Sequence, residues 1–142
     1  MKILIVEDNE ADRFLLQEAF AAITNKVKID MVEDGAAAIN YLKKEGEYSN
    51  ASRPDLIILD LNLPKKDGFE VLEEIKRSDT LKAIPVAILS SSKSAADICN
   101  SYRMNASCYL TKPSKYAELL EMVRSLHDFW LTRVTYCSSD RQ

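Results

Sequence analysis

A chain of 142 residues holds one compact domain, on a prior of roughly 100–200 residues per domain, and is not expected to contain a second folded effector. Hydrophobic residues at 46% and charged residues at 29% allow burial of roughly two-thirds of the unfolded surface, which excludes disordered and fibrous classes. Nineteen Lys and Arg against 22 Asp and Glu leave a formal charge of -3, so no excess positive field is available to hold a nucleic-acid backbone.

Short apolar runs alternate with amphipathic stretches from one end of the chain to the other. The run at 3–6 predicts a strand, followed by a helix at about 10–22 that Asn9 can cap, with Asp12 three residues on. The run at 27–32 precedes a helix at 35–45, and the run at 56–59 precedes one at 67–77. After the run at 86–89 comes a helix at 94–104, which Asn105 can end in the left-handed conformation. The last run, 108–110, leads into a helix at 115–131. Runs that are apolar throughout imply strands buried on both faces, as in a parallel sheet covered by helices on each side. With right-handed crossovers, the economical arrangement is an α/β, flavodoxin-like, doubly wound (βα)5 sandwich with a five-stranded parallel sheet in the order 2-1-3-4-5.

In such a sheet, chemistry belongs at the carboxyl ends of the strands. Strand 1 runs into Glu7 and Asp8, strand 3 into Asp60, strand 4 into Ser90, and strand 5 closes just before Lys112. Three converging carboxylates need a positive partner, since two unit charges about 4 Å apart repel by about 4 kcal/mol at an effective dielectric near 20. The candidates are Lys112 and a divalent cation. Oxygen donors without nearby His or Cys favour Mg²⁺, with Asp8 and Asp60 as direct ligands, the backbone carbonyl of Asn62 beside them, and Glu7 acting through water. A metal-held carboxylate next to a lysine suits an aspartate that attacks phosphorus, and Asp60 is the expected nucleophile because it follows the central strand and opens an exposed loop.

The segments IVEDN at 5–9, LDLNLPKKDG at 59–68, ILSSS at 88–92 and YLTKP at 109–113 together closely resemble the receiver domain of two-component response regulators, over about residues 1–128. The resemblance implies that Asp60 is the phosphoacceptor, that Glu7 and Asp8 serve Mg²⁺, and that Asn62 supplies a backbone ligand. It further implies that Ser90 is the switch hydroxyl, Tyr109 the switch aromatic and Lys112 the lysine that stabilises the transferring oxygens. Pro64 and Gly68 keep the punctuation of the loop after Asp60, with Gly68 expected in a conformation costly for other residues. The implied function is a phosphorelay switch: Asp60 takes a phosphoryl group from a partner histidine kinase, and the domain assists its own phosphorylation and dephosphorylation without being a conventional enzyme. Ser90 then draws its loop inward while Tyr109 turns towards the interior. Asn62 and Ser92, both short and polar, should flank the approach of water. Three features resemble, more narrowly, the small stand-alone regulators paired with cyanobacterial and other bacterial phytochrome kinases: the long connection GEYSNASRPDL at 46–56, Ser114 after Lys-Pro, and the ending HDFWLTRVTYC.

Beyond about residue 128 the sequence is expected to extend the last helix as residues 129–142, without a separate effector domain. Leu119, Leu120, Val123 and Leu126 at helical spacing should cover the sheet. Met122, Phe129, Trp130, Leu131 and Val134 add apolar surface expected to form a homodimer interface, with a tail folded on its own domain as the alternative. Cys99, Cys108 and Cys137 are odd in number and widely spaced, which fits packing residues in a reducing compartment and neither a disulfide framework nor a zinc site. The opening MKILIVEDNEADR turns acidic after four apolar residues, too short for a signal peptide or a membrane span, so a cytoplasmic protein is expected. His127 reads as a surface residue, and Lys65 and Lys66 as a solvated loop rather than a phosphate-binding pair. Two other functions fit the sequence less well. A phosphohydrolase of the haloacid dehalogenase type would need a second Asp where Asn62 stands, and a phosphorylation-independent adaptor would not need the complete acidic and lysine set.

Overall fold

The computed structural model describes residues 1–137. Five parallel strands, β1 (Lys2–Val6), β2 (Lys28–Val32), β3 (Leu56–Leu59), β4 (Val86–Ser90) and β5 (Cys108–Thr111), form one sheet in the order β2-β1-β3-β4-β5. The helices between and after them are α1 (Glu10–Ile23), α2 (Gly35–Lys43), α3 (Gly68–Arg77), α4 (Ala95–Arg103) and α5 (Tyr116–Trp130). Registers such as Val6 opposite both Val32 and Leu59 bring the strands to a common end. The expected architecture and strand order are observed.

Alternation along the strands sorts the core into two layers. Leu4, Val6, Ile57, Leu59, Val86 and Ile88 face α2 and α3, whereas Ile3, Ile5, Leu56, Ile58, Ala87 and Leu89 face α1 and α5. Burial on both faces holds for β1, β3 and β4. It does not hold for β2 and β5, which stand at the sheet's edges and are mostly half-buried. Lys28 and Asp30 fit this edge position of β2, where charged side chains discourage further strand pairing.

The helix ends follow local chemistry. Asn9 accepts from the Asp12 amide (2.9 Å) at the start of α1, and Asp67 and Glu70 form a reciprocal capping box on α3. Asn105, with φ 69°, takes the left-handed position after α4. The long connection before β3 contains a short 3-10 turn, Gly46–Tyr48, and packs the Tyr48 ring 5.5 Å from Tyr41.

The last helix ends at Trp130, one residue from the expected 131, and does not continue into the expected helical extension. The amides of Arg133 and Val134 both donate to the Phe129 carbonyl, and the Tyr136 hydroxyl donates to the Trp130 carbonyl at 2.5 Å. The Arg133 bond is a last helical i→i−4 bond, whereas the Val134 amide reaches back five residues and the Tyr136 hydroxyl takes the carbonyl that a further helical amide would use, and the chain turns. Tyr136 and Cys137 then line a cleft with Arg53–Asp55 and Ala83–Pro85, at the sheet end where β3 and β4 begin. Met122, Trp130 and Leu131 pack against the layer shared by α1 and α5, and Val134 is half-buried. Phe129 remains 57% exposed, edge-on to Trp130. The remainder of the expected 129–142 extension, residues 138–142, lies outside the described residues.

Candidate functional site

The carboxyl ends of the strands bring Glu7, Asp8, Asp60, Ser90 and Lys112 to one pole of the sheet. Backbone pairing carries these residues into place: the Glu7 amide donates to the Val32 carbonyl (3.1 Å), Asp60 to Val6 (3.1 Å) and Lys112 to Ser90 (2.8 Å). Glu7, Asp60 and Ser90 are buried, and Asp8 is exposed.

One carboxylate oxygen from each of Glu7, Asp8 and Asp60 lies within 4.8 Å of the others. Lys112 Nζ stands 2.6 Å from Glu7 Oε1, 2.9 Å from Asp60 Oδ2 and 3.0 Å from Asp12 Oδ2. Three carboxylates therefore share one ammonium group, with Asp8 beside two of them. Burial pushes the Glu7 carboxyl up to about 7; the hydrogen bond from Lys112 pulls the other way, and the Asp60 charge adds to the rise. Burial would lower Lys112, but its hydrogen bonds to Glu7, Asp60 and Asp12 outweigh that and push it upward. The lysine stays charged, and the acids remain in excess.

That excess tests the site for a metal. Every side-chain donor in the cluster is an oxygen, and the exposed Asp8 carboxylate has no hydrogen-bond or ion-pair partner among the described residues. Both Glu7 oxygens are engaged, by Lys112 and by the Asn9 amide at 3.1 Å. The set fits a hard divalent cation. Asn62 is exposed, and its amide donates to Asp60 Oδ1 at 3.2 Å, which braces the acceptor from the loop side.

The loop after Asp60 corrects one expectation. Gly68 does not adopt a left-handed conformation; Lys65 does, with φ 66°. Gly68 is required by contact instead, because a Cβ there would sit 2.4 Å from the Asp60 carbonyl oxygen. Lys65 Nζ lies 3.4 Å from Asp34 and Lys66 Nζ 2.8 Å from Glu74, so both lysines brace the loop against neighbouring helices.

Ser90 and Tyr109 share a hydrogen-bond chain. Ser90 Oγ accepts from the Ser92 amide (3.2 Å), Tyr109 Oη donates to the Ser92 carbonyl (2.7 Å), and Ser92 Oγ donates to Asp97 (2.6 Å). The half-buried Tyr109 ring also packs against the core layer of α2 and α3. Sequence reasoning placed both residues but missed Asp97, which ties the loop to the first turn of α4. Asp12 was expected only as the partner of the Asn9 cap; its place in the first turn of the helix that starts directly after the strand-1 acids is the signal that could have linked it to the site. Arg13 was missed too. Its guanidinium donates to the Glu7 carbonyl (2.9 Å) and lies 3.4 Å from Glu33. His127 lies on α5, its Nδ1 3.1 Å from Asp128 Oδ1.

Comparison with known proteins agrees with this geometry. The family model of the response regulator receiver domain matches residues 3–124. Response regulator Rcp1 of Synechocystis sp. (strain ATCC 27184 / PCC 6803 / Kazusa) is 47% identical, over 94% of this chain and 90% of that protein. The crystal structure of the Mn²⁺-bound form of Rcp1 superposes with a TM-score of 0.90 at 46% identity, over 96% of this chain and 99% of that one. The phosphorylated cyanobacterial phytochrome response regulator RcpA gives a TM-score of 0.92 at 52% identity, over 96% of this chain and 98% of that one. With the receiver motif spanning most of its length and the strand-end acids and lysine in one cluster, the chain belongs to the family of response regulator receiver domains, switches of two-component signalling.

Proposed function

We propose that Asp60 accepts a phosphoryl group from a histidine kinase, and that the kinase is of the phytochrome class. The observation that carries this reading is the sharing of Lys112 between Asp60 and Glu7 at the edge of a three-carboxylate cluster. Asp8 and Asp60 would hold Mg²⁺ directly, with the Asn62 carbonyl, and Glu7 would act through water. Bound there, the ion supplies positive charge to the oxygens of the transferring group. Lys112 stabilises the same oxygens from the protein side, while the Asn62 amide orients the acceptor carboxylate. Ser90 Oγ then offers a hydrogen bond to the phosphoryl group, and its tie through Ser92 carries the change to Tyr109 and α4. The phytochrome assignment is supported by the likeness to RcpA, a phytochrome response regulator by name.

Residues 1–128 act as the switch in this reading, and residues from 129 on add a surface through which two copies associate. Met122, Phe129, Trp130, Leu131 and Val134 are the proposed contact set, with the exposed Phe129 at its centre. The protein acts in the cytoplasm, and among the described residues no helix is long and apolar enough to cross a membrane.

Incubation with Mg²⁺ and phosphoramidate, followed by intact-mass measurement, tests the acceptor. The adduct is expected on the parent protein and absent from Asp60→Asn. An adduct of equal yield on Asp60→Asn would overturn the assignment.

A further inference from the structure

Lys112 has a third partner that the proposed transfer chemistry does not use. Asp12 Oδ2 lies 3.0 Å from Lys112 Nζ, nearly the same distance as Asp60 Oδ2 at 2.9 Å. The three carboxylates sharing this lysine differ in exposure: the Glu7 side chain is 2% exposed and Asp60 6%, whereas Asp12 is 38% exposed. Asp12 is thus the outermost of the three. With Lys112 it also borders a groove formed by Leu15, Pro113, Ser114, Lys115 and Tyr116. A donor that engages Lys112 therefore meets a positive charge already divided between the acceptor and this outer carboxylate.

We propose that Asp12 is a donor-selecting residue, which weakens the site's attraction for acyl phosphates and favours donors whose phosphorus is bonded to a protonated nitrogen. This rests on Asp60 being the acceptor. In the transfer, an Asp60 carboxylate oxygen bonds to phosphorus as the donor's own bond to phosphorus breaks. Acetyl phosphate loses its P–O bond, and acetate leaves with the bonding pair. Phosphoramidate, its nitrogen already carrying three protons, loses its P–N bond and releases ammonia with the pair. Near neutral pH acetyl phosphate is a dianion without compensating charge. Phosphoramidate, like a phosphohistidine with a protonated ring, carries a positive nitrogen next to phosphorus. A carboxylate paired with the acceptor's lysine repels the first and is partly compensated by the second, while holding Lys112 back from phosphoryl oxygens in both cases.

Asp12 also stands in the first turn of α1, where a negative charge favours the helix N-terminus. That structural role would affect both donors alike. The informative quantity is therefore the ratio of adduct-formation rates with phosphoramidate and with acetyl phosphate, at equal Mg²⁺ and ionic strength. For Asp12→Asn the ratio is expected to fall about three- to tenfold, mainly through faster reaction with acetyl phosphate, as expected for removal of one partly screened charge. Asp12→Glu should restore the parental ratio, and added salt should shrink the difference between parent and Asp12→Asn. An unchanged ratio in Asp12→Asn, or equal shifts in Asp12→Glu and Asp12→Ala, would overturn the proposal while leaving Asp60 as acceptor. Failure of the parent to form any Asp60 adduct would instead overturn the reading on which it rests.

Discussion

Replacing Gly68 by alanine sets two effects of opposite sign against each other. A Cβ at this position would lie 2.4 Å from the Asp60 carbonyl oxygen and 2.5 Å from Leu61 Cα. Both are backbone atoms, which cannot rotate away as the end of a side chain can. Overpacking of this kind costs about 3 kcal/mol, at the upper end of its usual range. Alanine returns about 1 kcal/mol through helix propensity, because residue 68 opens α3. The steric term wins, and the net loss should be about 2 kcal/mol, or about 8 °C in Tm for a domain of this size. The displaced atoms are the acceptor's own carbonyl oxygen and the Cα of the residue after it, so adduct formation should slow by about tenfold or more. Gly46→Ala provides the contrast: its φ is +59° and nothing lies within 4 Å of a Cβ built there, so only conformational strain of about 1 kcal/mol is expected. Urea unfolding followed by circular dichroism, with adduct formation measured in parallel, separates the two glycines. A Gly68→Ala protein as stable as its parent, or a Gly46→Ala protein that also loses its adduct, would refute the argument.

Three further outcomes follow from the same structure. The raised Glu7 carboxyl keeps its proton in the folded, metal-free protein up to about 7, above the usual carboxylate range. Its contribution to stability is therefore fully present below the unfolded value and is lost as pH rises through about 7. A bound cation favours the ionised form, so the Mg²⁺-induced rise in Tm should be larger at pH 8 than at pH 6, and the reverse order would contradict this assignment. Tyr109→Phe removes the 2.7 Å hydrogen bond to the Ser92 carbonyl and should cost about 1 kcal/mol in urea unfolding; no measurable loss would mean that water replaces the bond. Phe129→Glu changes an exposed ring, so it should lower the sedimentation-derived dimer affinity by tenfold or more with little change in Tm. A parent that stays monomeric at high micromolar concentration, with or without phosphodonor, would remove the dimer altogether.

The strand-end pattern was legible because parallel strands place successive functional residues on one rim wherever they fall in the chain. Glu7, Asp60 and Lys112 could be grouped from that rule alone, although Asp60 and Lys112 are 52 residues apart. Asp12 escaped it because its pairing with Lys112 spans 100 residues and starts from a helix, where side-chain direction depends on how α1 lies against the sheet. Edge burial escaped in a different way. The run containing β2 includes Lys28 and Asp30, yet its Val, Ile and Met residues resemble an interior strand until the absence of a second pairing neighbour among the described residues is seen. Gly68 was placed correctly for the wrong reason, since close backbone approach leaves no local sequence signature. The turn that replaces a longer α5 was hidden because the bonds that make it come from Val134 and Tyr136, beyond the amphipathic pattern itself.

The 2.8 Å bond between the Lys112 amide and the Ser90 carbonyl has a consequence for time rather than for shape. Two residues proposed to meet a phosphoryl group share one rung of the sheet, so their main chains cannot separate without breaking the pairing of β4 and β5. Their response is confined to side-chain rotation and to the loop that begins after Ser90. Picosecond-to-nanosecond rotamer exchange belongs to exposed side chains, whereas Ser90 is fully buried and Lys112 is held by three carboxylates, so the loop, which moves in nanoseconds to microseconds, is the freer of the two responses. The phosphoryl group therefore acts on how long each arrangement is occupied, and the strand pairing confines the difference between the two to these side chains and this loop.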